Sequence, residues 1–134
     1  MYLKSVIYVS KGQGDLSLEH LRDLFPRAWA ANDRSGITGV LVYDGAYYLQ
    51  IVEGARIAVD RLMARIAMDT RHSQMRFVVE DRSSVRRTTT FSAGVVSRHA
   101  AAFTIPQLMS GEAVPYDEVR NVCFAIASKA KNFE

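Results

Sequence analysis

Apolar and polar positions follow two periods along this chain. Val6, Ile7, Tyr8 and Val9 lie in a β-branched and aromatic run that predicts a first strand over Tyr2–Ser10. Lys11–Asp15 (KGQGD) reads as its turn. Leu18, Leu21, Leu24, Phe25, Ala28 and Trp29 then recur at helical spacing to about Asn32. Ser17 suits the N-cap, with Glu19 favoured in the first turn by the helix dipole. Pro26 falls inside the pattern and predicts a kink. Ile37–Gly54 reads as a hairpin turning at Asp44-Gly45. Arg56–Asp69 reads as a second helix, with Ile57, Val59, Leu62, Met63 and Ile66 on its inner side. Met75–Asp81 and Phe91–Ser97 read as further strands, Gly94 marking a bulge or weak point in the last. Pro115 precedes a final helix carrying Val119, Val122, Phe124, Ile126 and Ala127.

The order is β-α-β-β-α-β-β plus a helical tail. It predicts an α+β, ferredoxin-like architecture: an antiparallel sheet with two helices on one face. No linker, repeat or low-complexity segment divides the chain.

Composition narrows the class. With 134 residues, 49% hydrophobic and 23% charged, the chain is ordinary globular material long enough for a core. No apolar run approaches the roughly 18 residues of a membrane span. No basic-then-apolar leader follows Met1, and the expected address is the cytoplasm. Cys123 is the sole cysteine, which excludes an internal disulfide and a cysteine-rich metal site; it reads as a small packed residue. A net charge of +3 is a weak hint of anionic partners. Arg82, Arg86 and Arg87 cluster without aromatic neighbours for stacking on bases, so they read as a solvated loop or strand edge, with no direct nucleic-acid contact expected.

Polar residues inside apolar elements are the informative ones. Tyr8 lies within the first strand, Gln50 within the third, and Asn32 at the end of the first helix. First and third strands are central neighbours in this topology. A phenol and a carboxamide can therefore meet on one face, and each needs a partner when buried. The amide keeps spare donors and acceptors after meeting the phenol. A flat heteroaromatic ligand between the two helices would complete the network, with Asn32 on its edge. Arg65, and Asp69 four residues on, would share a helical face. Taken singly, each has a plainer reading: a core aromatic, a glutamine on the sheet's open face, a helix-terminal asparagine, a surface ion pair worth about 0–1 kcal/mol.

The set IYVS, AND, GITGVLVYDG, YYLQIVEG and ARIAMDTRH, with a two-arginine step before the last strand, resembles the BLUF domain, a blue-light sensor using flavin. The resemblance covers about Tyr2–Ser97. It implies non-covalent FAD with its ring between the two helices. Tyr8 matches the photoactive tyrosine and Gln50 the glutamine between it and the flavin N5/O4 edge. Asn32 matches the O4/N3 edge contact, and Arg65 and Asp69 the pair near O2. Ile7, Phe25, Ile37, Leu41, Ile66 and His72 fall where the family lines its pocket. The implied event is reversible: Tyr8 supplies an electron and a proton to excited flavin, both return, and Gln50 is left rotated or tautomerised with a stronger bond to O4.

The chain departs from the family in its last strand. Where the family carries tryptophan and methionine as its output elements, the arginine step aligns Phe91 and Ala93, with Thr88 at the preceding aromatic; a shift of three gives Gly94 and Val96. Ala31 replaces a polar residue often found before Asn32. Residues 1–98 are thus expected to form the flavin domain and 99–134 a helical extension on the sheet or a partner. With no effector motif present, output is expected to pass to an unidentified downstream protein, from a homo-oligomer. The scattered His20, His72 and His99 offer no nucleophile–base spacing, so no enzyme and no metal site are expected. The alternative is a flavin-free or degenerate module that keeps the fold for protein interaction.

Overall fold

The structure, a computed structural model, describes residues 3–12, 18–70, 72–97, 104–111, 119–129 and 131–132; the side chains of residues 18–22, 24–25, 83 and 131–132 fall outside the description. Ser17, Pro115 and the side chains of Leu18, Glu19, Leu21, Leu24 and Phe25 therefore lie outside the described residues.

The elements are β1 (Leu3–Gly12), α1 (Leu18–Arg34), β2 (Thr38–Tyr43), β3 (Tyr47–Ala55), α2 (Arg56–Ala67), β4 (His72–Ser83), β5 (Phe91–Val95), α3 (Ile105–Ser110), α4 (Val119–Ser128) and β6 (Lys131–Asn132). They form one sheet in the order β4-β1-β3-β2-β5-β6. The first four strands have the ferredoxin-like order, and every ladder is antiparallel except β2·β5, which is parallel. The antiparallel sheet expected from sequence is therefore a mixed one. The chain leaves β4 at one edge and crosses the ends of three strands before pairing β5 beyond β2.

Local chemistry fixes the ends. Asp44 closes the hairpin: its Oδ1 accepts from the backbone N–H groups of Ala46 (2.9 Å) and Tyr47 (2.7 Å). Gly45, at φ 100°, supplies the positive dihedral the turn needs. α1 ends in a Schellman motif. Gly36 (φ 69°) donates to the Asp33 carbonyl at 3.1 Å, and Ile37 to that of Asn32 at 2.9 Å. That cap pins Asn32 and Ile37 beside the sheet. Pro26 is carried within the helix.

Alternation along the strands divides the core in two. Ile7, Val9, Val42, Leu49, Ile51 and Val79 face α3 and α4, packing with Ile105, Leu108, Cys123 and Ile126. Val6, Tyr8, Ile37 and Val52 face the other way, against Val59, Leu62 and Met63 of α2. α2 lies over β1 and β3, and α1 against β5. Full burial of each such aliphatic side chain stabilises by about 1.5–3 kcal/mol. Ile57, expected on the inner side of α2, is 61% exposed: it belongs to the outward side of the first turn. Two elements were not anticipated, α3 and β6. α3 starts with a capping box formed by Thr104 and Gln107 and ends at Gly111 in the left-handed region. No described helix is long and apolar enough to cross a membrane.

Candidate functional site

On the helix-pair face, β1 and β3 bring together the buried side chains of Tyr8, Ser10, Tyr48 and Gln50. Register makes this unavoidable: β1 and β3 pair Tyr8 directly with Gln50. The Tyr8 hydroxyl donates to Gln50 Oε1, and both side chains are 4% exposed. Because Oε1 is taken by the phenol, the amide presents its Nε2 hydrogens to whatever lies beyond. Asn32 is 3% exposed on the last turn of α1. A phenol, a carboxamide and a second carboxamide along one face suit the acceptor-rich N5/O4 edge of an isoalloxazine, so the donor set fits a flavin.

β1 bulges against β4 on both sides of this point, between Ile7 and Tyr8 and between Val9 and Lys11. Bulges re-aim side chains, and here one adjoins the tyrosine. His72, at the start of β4, lies near Tyr8, with ring centroids 6.2 Å apart and tilted by 49°. Its Nε2 lies 2.6 Å from the Ile66 carbonyl, which ties β4 to the last turn of α2. Burial pushes the Tyr8 phenol well above its ordinary range, and the nearby Tyr48 and Asp69 charges add to the effect. The phenol is therefore held protonated.

Other expected site residues distribute unevenly. Ile37 is buried in the helix-pair core, Ile66 packs against it half-buried, and Leu41 registers with Gln50 from β2. Ile7 does not belong there. It is the residue before Tyr8 on a strand, so it points to the opposite face and packs with the α3–α4 core. Arg65 is exposed on α2, which ends at Ala67, so Asp69 stands in the turn beyond the helix rather than one turn above Arg65. Phe91 and Ala93 are 4% and 2% exposed on β5. Ala93 registers with Leu41, and Leu41 with Gln50, so one row runs Tyr8–Gln50–Leu41–Ala93 across four strands.

Comparison with known proteins joins this geometry to a family. A sequence model described as "Sensors of blue-light using FAD" matches residues 3–94. The chain belongs to the BLUF family. Its fold superposes on BlrB, a BLUF protein in its dark state, with a TM-score of 0.75 and 29% identity, over 94% of this chain and 96% of that one. The ground state of BlsA gives 0.78 at 20% identity over 100% and 92%, a likeness of fold alone. Among curated relatives, the blue light- and temperature-regulated antirepressor BluF of Escherichia coli is 27% identical over 85 residues, 63% of this chain and 21% of the relative. A photoactivated adenylate cyclase subunit alpha of Euglena gracilis is 34% identical over 56 residues, 42% of this chain and 6% of the relative. The chain thus spans about a fifth or less of these curated relatives. As a BLUF chain it is a blue-light sensor with FAD as its cofactor, of a class that signals to partners or effector domains.

Sequence reasoning missed Glu53. This carboxylate is 1% exposed and holds the β4–β5 connection. It accepts from the backbone N–H of Arg87 (3.0 Å to each oxygen), the N–H of Thr88 (2.8 Å) and the Thr88 hydroxyl (2.7 Å). Arg86, read as solvated, instead donates to the Gly36 carbonyl (2.8 Å), Thr38 Oγ1 (2.7 Å) and the Glu53 carbonyl (3.1 Å). Arg87 lies 4.3 Å over the Phe124 ring of α4 and reaches Asn121 Oδ1 at 3.4 Å. The signal was an acid closing a strand plus two adjacent arginines. The partners lie more than thirty positions apart.

A cleft of about 660 Å³ lined by Lys4, Arg56, Glu80, Asp81 and Arg82 sits at the other end of β1. Lys4 is paired there with Asp60 and Glu80, and Asp81 with Arg120, so the cleft is a surface ion-pair network and not the flavin site. Among the described residues no group of three or more metal-ligating side chains converges.

Proposed function

We propose that this BLUF chain is a reversible light switch in which Tyr8 and Gln50 are the reporting pair, acting in the cytoplasm on a separate protein. The observation that carries the reading is the buried bond from the Tyr8 hydroxyl to Gln50 Oε1. Bound FAD supplies blue-light absorption and an excited state that is a strong one-electron oxidant. Everything else falls to the chain. Tyr8 gives up an electron, and its proton leaves along the only polar direction described for it, toward the Gln50 amide. When both return, Gln50 settles rotated or tautomerised. Asn32 would hold the ring edge from α1, with Arg65 and Asp69 at the far edge and Ile37, Leu41, Ile66 and His72 around it. Leu41 and Ala93 pass the altered Gln50 shape along the row to β5, with Phe91 beside them. The smaller Ala93 and the apolar Phe91 make this transfer steric rather than hydrogen-bonded.

Residues 1–98 form the sensing unit, and 99–134 the extension through which it meets its target, as part of a homo-oligomer. The arginines of the β4–β5 connection are engaged internally through Arg86 and Arg87, which supports a protein target over nucleic acid. Purified protein incubated with FAD should be yellow and show a small, reversible red shift after blue illumination. Gln50→Leu should remain yellow and lose the shift. Colourless protein that does not take up FAD would overturn this reading in favour of a flavin-free interaction module.

A further inference from the structure

Tyr8 does not stand alone on its face. Tyr48 lies across from Ser10, two residues from Gln50 on β3, which makes it the diagonal neighbour of Tyr8 at about 7–8 Å. Tyr43 pairs with Tyr48 across β2 and β3, and their rings are 4.7 Å apart. Both rings flank Gly12, each 3.4 Å from where a Cβ would stand. Burial falls along the file: Tyr8 is 4% and Tyr48 8% exposed, and Tyr43 is half-buried, its hydroxyl donating to the Gly45 carbonyl at the hairpin turn. On the other sides of Tyr8 the register places Phe77 and, beyond Gln50, Leu41, neither a phenol.

We infer that Tyr8, Tyr48 and Tyr43 form a redox path, along which an external one-electron donor at the β2–β3 turn can re-reduce photo-oxidised Tyr8. The inference rests on the flavin reading above for its oxidant, photoexcited flavin. The electron taken from Tyr8 stays on the flavin, while the proton it lost comes back through Gln50, its hydrogen-bond partner. The Tyr8 phenoxyl regains its electron from Tyr48, whose own phenol proton goes to solvent. Tyr48 is repaired in turn by an electron from Tyr43 and a proton from solvent, and Tyr43 releases its proton to solvent. Tyr43 takes an electron and a proton from a reductant of the ascorbate or thiol class. The net result of each passage is one electron moved from the donor to the flavin and one proton released to solvent, so the electron's return to Tyr8 that closes the switch is bypassed when reductant is abundant. Such a path makes the sensor's lit behaviour depend on cellular reductant.

The test has two arms. FAD-loaded protein is illuminated without oxygen in the presence of ascorbate, and the loss of visible flavin absorption is timed. Tyr48→Phe should slow that loss at least ten-fold while keeping the reversible red shift, and Tyr43→Phe should slow it less. A rate within two-fold of wild type in Tyr48→Phe overturns the path. The second arm needs no flavin. The full-length chain is oxidised by flash-excited tris-bipyridyl ruthenium with persulfate, a reagent too bulky to reach Tyr8, and oxidised tyrosines are mapped by peptide mass spectrometry. Tyr8 should be oxidised in wild type and spared several-fold in Tyr48→Phe; equal oxidation in both overturns the path. Failure to bind FAD would sink the flavin reading and leave this second arm decisive.

Discussion

The two faces of the sheet are held by different means. The face under α3 and α4 is closed by aliphatic packing and a ring of charged contacts at one end: Glu53 on the β4–β5 connection, Arg87 on Phe124, and Arg120 on Ser5 (3.0 Å) and Asp81. The helix-pair face has a smaller described core, and its central polar contact is one phenol on one amide. One face is built to stay, with its buried carboxylate, Glu53, held by several donors. The other leaves an amide whose arrangement one proton transfer can change. A light switch needs both, because a rearranged Gln50 has an effect only against neighbours that do not yield.

The contrast sets an order of expected effects. Glu53→Ala takes an ionised acceptor from two backbone N–H groups and a hydroxyl, hydrogen bonds worth about 1.5–3 kcal/mol each to a charged group and less where water can replace it. A loss of about 3 kcal/mol or more in urea unfolding is expected, with the red shift retained in protein that remains folded. A loss below 1 kcal/mol would mean the connection is not held by this carboxylate. Tyr8→Phe removes one hydrogen bond and should cost about 1 kcal/mol, yet abolish the red shift entirely. A normal shift in that variant would remove Tyr8 from its role. Arg87→Ala gives up a cation–π contact worth about 0.5–1 kcal/mol at a partly exposed site, visible as a small fall in melting temperature.

The smallest effect concerns pH. The Tyr8 phenol is raised above its ordinary value of 10.0 by burial. Unfolded chains lose that proton as pH passes 10 while the folded chain retains it, so stability present below pH 10 falls as pH rises further. In a titration followed by phenolate absorption, Tyr8→Phe should remove a component that ionises later than the exposed tyrosines. If the variant leaves the titration curve unchanged, the phenol is not shielded.

Much of this was legible beforehand, for reasons that differ by residue. The hairpin could be read because Asp44-Gly45 is local turn chemistry. Tyr8 and Gln50 could be placed together because β1 and β3 are neighbours in the ferredoxin-like order. Ile7 was misplaced because motif matching ignores alternation, whereas the strand sends adjacent side chains to opposite faces. Asp69 falls past the end of α2 and not on it, because periodicity does not show where a helix ends. Glu53 stayed hidden because its partners arrive through a connection whose path depends on the parallel β2·β5 pairing, and no local pattern encodes that pairing.

That crossing has a consequence for chain length. Moving from β4 to β5 spans four inter-strand gaps, about 19 Å at the usual spacing. The eight Cα steps from Ser83 to Phe91 reach roughly 28 Å when fully extended. Tolerance to indels here is therefore lopsided: added residues bulge outward at little cost, whereas trimming two leaves almost no slack and would drag either the edge strand or Phe91 out of place.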